Sequence, residues 1–304
     1  MLVDRFGRPL TSLRISVTEK CNHRCVFCHR EGLLNYESES ELGAEDWGFV
    51  ANVASYLGIR DAKLTGGEPL VRRDIVEIVR EIAGNGLSTS ITTNGSLLDK
   101  YAKGLAEAGV DHVNVSLHSL REDVFKAITG GDLKRVLQGI EAALQYGIRL
   151  KLDFVVLTWN KDEVADLVEF ASKKGLEINM IELIPLGVDA ELYKRIHVEL
   201  REVEEYLEKR AVKVEVKEFQ SRPVYHLENG VKVTLIKGFC NPELCARCTR
   251  IRFTPDGKIK PCLFRNDNLV DARPYILSRD FHGLVEAFKR ANSLREPYFK
   301  VVTR

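Results

Sequence analysis

The stretch Leu13-Arg14-Ile15-Ser16-Val17-Thr18-Glu19-Lys20-Cys21-Asn22-His23-Arg24-Cys25-Val26-Phe27-Cys28 runs a short β-branched segment straight into three cysteines spaced C-x3-C-x2-C. Its first part predicts a strand over 13–18, which puts the cysteines in the loop leaving that strand's carboxyl end. Similar runs recur at 62–65, 88–93, 112–117, 150–157 and 178–183. Segments of helical period follow at 45–57, 74–84, 97–108, 133–146, 162–173 and 199–209. Ile75, Ile78, Val79 and Ile82 share one helical face, as do Val136, Leu137, Ile140 and Leu144. Six βα units predict an α/β fold with a parallel sheet, either an open doubly wound sheet or a partial barrel; periodicity does not choose between them. No G-x-G-x-x-G follows the first strand and no P-loop occurs, so a Rossmann or P-loop nucleotide site has no support.

With 304 residues, 44% hydrophobic and 29% charged, the chain can bury a large core and is neither disordered nor collagen-like. Its 45 basic and 44 acidic residues leave a net charge of +1. That balance gives no whole-surface field for nucleic acid or anionic lipid, so any polyanion must meet a local basic pocket. No apolar run approaches the roughly 20 residues of a membrane span, and the first residues lack an apolar signal core. The expected location is the cytoplasm, with no membrane or nucleic-acid partner. After residue 211 the texture changes to an alternating Val212–Val216 run, a hairpin turn at Asn229-Gly230, another at Asp256-Gly257 and a helix over 281–293. Residues 1–210 and 211–304 are therefore read as two regions, the second a separate antiparallel one.

Seven cysteines, at 21, 25, 28, 240, 245, 248 and 262, form two groups and an odd total, which suits ligation or redox chemistry better than a disulfide framework. Three thiolates in one short loop leave an iron of a [4Fe-4S] cluster open, whereas structural zinc wants four ligands and would need His23 or His29. The second group, Cys245-x2-Cys248-x13-Cys262, again supplies three ligands; with Cys240 it also fits a four-cysteine zinc knuckle. Cys240 itself is read as a buried or spare thiol. Thr65-Gly66-Gly67-Glu68-Pro69-Leu70 follows the second strand, where glycines permit close approach of backbone and a carboxylate can pair with an ammonium group. Thr93-Asn94-Gly95 and Ser116 end the third and fourth strands, where simple capping would also account for them. All these positions lie at carboxyl ends of consecutive strands, where a β/α barrel gathers its reactive loops.

Taken together, these segments resemble the radical S-adenosylmethionine (SAM) superfamily and, more closely, its GTP 3′,8-cyclase family of molybdenum cofactor biosynthesis. The similarity runs from Gly7 to Phe264 and is most specific over Cys248-Thr249-Arg250-Ile251-Arg252 and Asp256 through Cys262. The loop ending Cys28-His29-Arg30-Glu31-Gly32 is similar to the archaeal branch. The resemblance implies a partial (βα)6 barrel with a C-terminal antiparallel region carrying a second cluster. It implies that Cys21, Cys25 and Cys28 hold a [4Fe-4S] cluster whose open iron takes SAM, with Gly66, Gly67, Glu68 and Ser116 binding SAM. Cys245, Cys248 and Cys262 would hold a second [4Fe-4S] cluster that anchors guanine, while Arg14, Arg250, Arg252, Lys151 and Thr93 bind GTP and Arg72 lies near nucleotide or SAM. The implied reaction forms (8S)-3′,8-cyclo-7,8-dihydroguanosine 5′-triphosphate from GTP. Implied partners are an electron donor and a downstream cyclic pyranopterin monophosphate synthase; oligomeric state stays open, a homodimer included.

The chain departs from that family at three places. Asn179 stands where many relatives carry arginine, Cys240 can compete for the open iron of the second cluster, and the chain ends Lys300-Val301-Val302-Thr303-Arg304 where many end in paired glycines. Rival readings are a radical SAM peptide or protein maturase, a zinc-stabilised interaction module and a two-cluster electron carrier. Arg14 and the Arg250/Arg252 pair suit a nucleotide better than a peptide, because guanidinium forks match phosphate and guanine acceptors.

Overall fold

The computed structural model describes residues 1–299; the divergent tail noted above lies outside them. Among the described residues the strands are β1 (Ser12–Ser16), β2 (Asp61–Thr65), β3 (Ser88–Thr93), β4 (His112–Ser116), β5 (Arg149–Val156), β6 (Glu177–Glu182), β7 (Ala211–Val216), β8 (Pro223–Leu227), β9 (Lys232–Ile236), β10 (Arg250–Phe253), β11 (Lys258–Lys260) and β12 (Val270–Asp271). The helices are α1 (Ala44–Tyr56), α2 (Ile75–Gly84), α3 (Leu98–Glu107), α4 (Glu122–Thr129), α5 (Leu133–Gln145), α6 (Val164–Lys174), α7 (Ala190–Ile196), α8 (Arg201–Glu208), α9 (Pro242–Ala246), α10 (Arg273–Leu277) and α11 (Phe281–Ser293).

The six expected βα strands are all present and pair in parallel, β1 through β6 in chain order. Strands β7, β8 and β9 pair antiparallel, as do β10, β11 and β12. They continue the parallel set at its two edges. One sheet runs β12-β11-β10-β1-β2-β3-β4-β5-β6-β9-β8-β7, with β9 parallel to β6 and β10 parallel to β1. The physical reason is burial. An edge strand exposes unpaired backbone groups, and β9 and β10 bring Val233, Leu235, Ile251 and Phe253, all essentially inaccessible, to cover the two edges of the parallel set. Alternating β7 is left outside, where Val212, Val214 and Val216 are exposed.

The segment after Ser116 contains α4. Glu122 and Asp123 sit in its first turn, Phe125 and Ile128 are buried, and Gly130 ends it in a left-handed conformation (φ 68°). Trp47 of α1 and Phe288 of α11 pack on Phe253 at ring-centroid distances of 5.9 and 5.5 Å, so these two helices seal β10 onto the core.

Candidate active site

At the carboxyl ends of β1 to β6 lies one cavity of about 410 Å³, lined by Cys21, Cys25, Cys28, Cys245, Cys248 and Cys262. The β1 loop is tied to the end of α4, because the N–H groups of Arg24 and Val26 donate to the carbonyls of Thr129 and Ile128 at 2.8 and 2.9 Å. Burial pushes the Cys25 thiol up to about 12, and the neighbouring Cys28 and Cys21 add to this. Burial likewise raises Cys21 and Cys245. Thiols that ionise only at the expense of one another need a bound cation to become thiolates, which is the donor chemistry a metal cluster requires. Among the described residues no three His, Cys, Asp or Glu side chains close on the position of a single metal ion. Cys240 is exposed, not buried, with φ +49°, and stands outside the cavity lining.

The second thiol group is braced from both ends of the described chain. Arg8 donates to the carbonyl of Cys245 at 2.8 Å, and Arg295 donates to that of Cys248. Asp4 lies between the two guanidiniums, 2.8 Å from Arg8 and 3.6 Å from Arg295, and all three side chains are buried.

Gly66 and Gly67 serve close approach, but to protein backbone. Gly66 has φ +141°, and a Cβ on either residue would overlap the carbonyl oxygens of Thr18 or Lys20. The N–H groups of Gly67 and Glu68 donate to those carbonyls at 2.8 Å each, which sets the turn after β2 against the entry to the cysteine loop. Glu68 is buried and accepts from Thr93 Oγ1 (2.7 Å), Leu70 N (2.9 Å) and Asn94 N (2.6 Å). Burial raises its pKa, with the Asn94 amide opposing. The Thr93 hydroxyl, expected on nucleotide, is thus engaged by Glu68. Ser116 lines the cavity.

Part of the same lining is cationic. Register pairing places Arg14 of β1 beside Arg252 of β10, and both reach Glu31: Arg14 Nη2 lies 2.8 Å from Oε1, and Arg252 Nη1 lies 2.6 Å from Oε2. Thr65 Oγ1 also donates to Glu31. Burial would raise the Glu31 carboxyl, but Arg14, then Arg252 and His29, outweigh it and hold it well below the usual carboxylate range. Arg250 is lowered by burial, then by the charges of Arg14, Arg252 and Arg222. Lys63 on β2 bonds Asn114 Oδ1 at 2.9 Å and is lowered to about 7, by burial first, with Asp153 opposing.

Three expected residues are placed elsewhere or differently. Lys151 is outside the cavity lining, with its ammonium 2.9 Å from Glu177. Arg72 is also outside it; it grips Asp74 and the carbonyls of Val17 and Leu42. Asn179 lines the cavity and donates to Asp153 at 2.6 Å. Lys63, Glu31 and Arg222 are among the cavity residues to which the sequence reading gave no role.

Comparison with known proteins decides the family. The Radical SAM superfamily model matches residues 15–171, and the Molybdenum Cofactor Synthesis C model matches 176–301. A "Probable GTP 3′,8-cyclase" of Thermococcus kodakarensis is 47% identical over 99% of this chain and 100% of its own length. The chain is a GTP 3′,8-cyclase family member. A protein of the same description from Saccharolobus solfataricus is 44% identical over 98% of this chain and 99% of its own. As a radical SAM protein the chain carries a 4Fe-4S cluster and binds SAM. Solved structures share the fold: Streptococcus suis SuiB bound to S-adenosylmethionine has a TM-score of 0.66 at 18% identity, covering 93% of this chain and 68% of that one. Native anSMEcpe with bound AdoMet has 0.61 at 16%, covering 95% and 84%. The mixed α/β fold with C-terminal antiparallel strands is that of the radical SAM family.

Proposed function

We propose that the chain converts GTP to (8S)-3′,8-cyclo-7,8-dihydroguanosine 5′-triphosphate, the first step of molybdenum cofactor biosynthesis. The observation that carries this reading is one cavity lined by both three-thiol sets and by a cluster of half-buried arginines on strands β1 and β10. Cys21, Cys25 and Cys28 would hold the first cluster, and Cys245, Cys248 and Cys262 a second [4Fe-4S] cluster. Held by the first three thiolates, a reduced cluster would supply the electron for reductive cleavage of bound SAM.

The chain's own part is positional. Glu68 Oε2 accepts a single bond within the protein, and a carboxylate oxygen takes more than one, so it has capacity for the ammonium of methionine. Gly66, Gly67 and Ser116 would complete the SAM side. Arg14, Arg252 and Arg250 are fixed in place before substrate arrives, the first two by Glu31. Prefixed guanidiniums bind phosphate or guanine acceptors without reorganising, and a water-poor cavity strengthens those bonds. Residues 1–210 would carry the SAM half and 211–304 the second thiol set, with an electron donor and a downstream cyclic pyranopterin monophosphate synthase as partners. Among the described residues no helix is long and apolar enough to cross a membrane.

An anaerobic assay with SAM, reductant and each nucleoside triphosphate in turn tests the proposal. GTP should stimulate 5′-deoxyadenosine release and yield the cyclised product; stimulation by a peptide but by no nucleotide would support a maturase instead.

Lys63 gives a pH-dependent signature. Its folded-state pKa of about 7 lies below its unfolded value of about 10.4, so stability rises with pH between those limits because the unfolded chain holds the extra proton. A polyanion beside it favours the charged form, so GTP binding at pH 8 should take up close to one proton. Calorimetry in buffers of different ionisation enthalpy measures this. Equal heats in all buffers, or an unchanged uptake in Lys63→Met, would exclude Lys63 from the phosphate site.

A further inference from the structure

We infer that Arg222, on the segment linking β7 to β8, is an additional anion-binding residue of this cavity, held with Arg250 against Phe219 to meet the phosphate end of the nucleotide. The inference rests on the reading of the cavity as a nucleoside triphosphate site. Four observations support it. First, Arg222 lines the cavity, and its Nε is buried with no hydrogen-bond partner, as are the Nε atoms of Arg14 and Arg250. A buried guanidinium N–H without an acceptor is costly, and three arginines with unmet donor capacity lining one cavity call for an acceptor-rich ligand.

Second, the nearby carboxylates are otherwise engaged. Glu31 is held by Arg14 and Arg252, and Asp153 takes the amides of Asn114 and Asn179 at 2.8 and 2.6 Å. Third, Phe219 is a shared platform: the guanidinium carbons of Arg222 and Arg250 lie 5.1 and 4.9 Å from its ring centroid. Cation–π attraction holds two like charges near each other at modest cost and leaves their donors free. Fourth, the segment is strained. Gln220 (φ 59°) and Ser221 (φ 51°) are non-glycine residues in the left-handed region, which L side chains adopt at a cost. The turn is pinned by Gln220, whose N–H donates to the carbonyl of Arg247 at 3.3 Å and whose side-chain oxygen accepts from Arg222. That pinning docks Arg222 beside the second thiol group. Strain kept where it aims a side chain into a cavity is characteristic of a ligand site.

The test uses the full chain, anaerobically reconstituted, and follows binding of GTP, guanosine and inorganic tripolyphosphate by equilibrium dialysis. Arg222→Ala should weaken GTP and tripolyphosphate about tenfold or more, as loss of a charge-assisted bond does, and leave guanosine within about twofold. Arg222→Lys, which keeps the charge without the fork, should fall between. The Arg222→Ala melting temperature should stay close to wild type, since the side chain gives up one hydrogen bond, to Gln220, and one ring contact, to Phe219. Unchanged GTP and tripolyphosphate binding, or equal weakening of guanosine and GTP, would overturn the assignment. If wild type binds tripolyphosphate and loses it on Arg222→Ala but shows no preference for GTP among nucleotides, Arg222 stands and the GTP reading fails. If wild type prefers GTP and Arg222→Ala leaves that affinity intact, the reverse holds.

Discussion

Cys25→Ala is expected to bring 5′-deoxyadenosine formation down to background while bound iron falls from about eight to about four per chain, the difference of one four-iron cluster. Cys25 is the least exposed of the three thiols in its loop, and Cys21 and Cys28 are close enough to shift its ionisation. The loop's shape does not depend on that sulfur, because it is fixed by backbone bonds to Thr129 and Ile128 at the end of α4. The apo chain should therefore melt close to wild type, and the loss should be one of metal and chemistry. Iron and sulfide analysis with a deoxyadenosine assay measures both. Full iron content, or persisting SAM cleavage, would show that the loop does not hold the reactive cluster. Cys240→Ala, outside the cavity, should change neither.

Glu31→Ala should cost about 3–5 kcal/mol of stability in the apo chain, the usual penalty for removing one member of a buried ionic group. Arg14, Glu31 and Arg252 are mostly buried, and Glu31 also accepts from Thr65. Without the carboxylate, two adjacent guanidiniums repel each other in a site of low dielectric. Denaturant unfolding of the metal-free chain gives the value; a loss under about 1 kcal/mol would mean that Glu31 is no organising counter-charge. The same pairing has an acid limit. Because the folded-state pKa of Glu31 is depressed, its contribution is complete above the unfolded value of about 4.3 and declines as pH falls below it. Acid unfolding of Glu31→Ala should lose that component of the pH dependence.

The elements of the parallel sheet were legible because their apolar spacing is local: the helix read at 74–84 is α2, Ile75–Gly84, and the strand read at 88–93 is β3. The cysteine spacings were legible for the same reason. What the sequence hid is the return of β10 beside β1, since parallel pairing over such a distance leaves no periodic trace. That return brings Arg14 and Arg252 to one carboxylate. Lys63 sits in an ordinary strand and Arg222 precedes a proline in a connecting segment, so neither carries a local signal. Glu31 was visible inside the loop ending at Gly32, but only the fold shows two arginines converging on it. The glycines after β2 were read as permitting close approach, and the structure shows one such approach that the sequence did not specify, by the carbonyls of Thr18 and Lys20.

The brace formed by Arg8 and Arg295 links maturation to synthesis. Arg8 and Cys245 are 237 residues apart, and Arg295 lies beyond both. A nascent polypeptide can shape its first thiol loop once α4 has emerged, but the second lacks its supports until translation is nearly finished. The two thiol groups then gain their supports at different times, and a ribosome stalled before Arg295 would leave Cys245 and Cys248 unbraced.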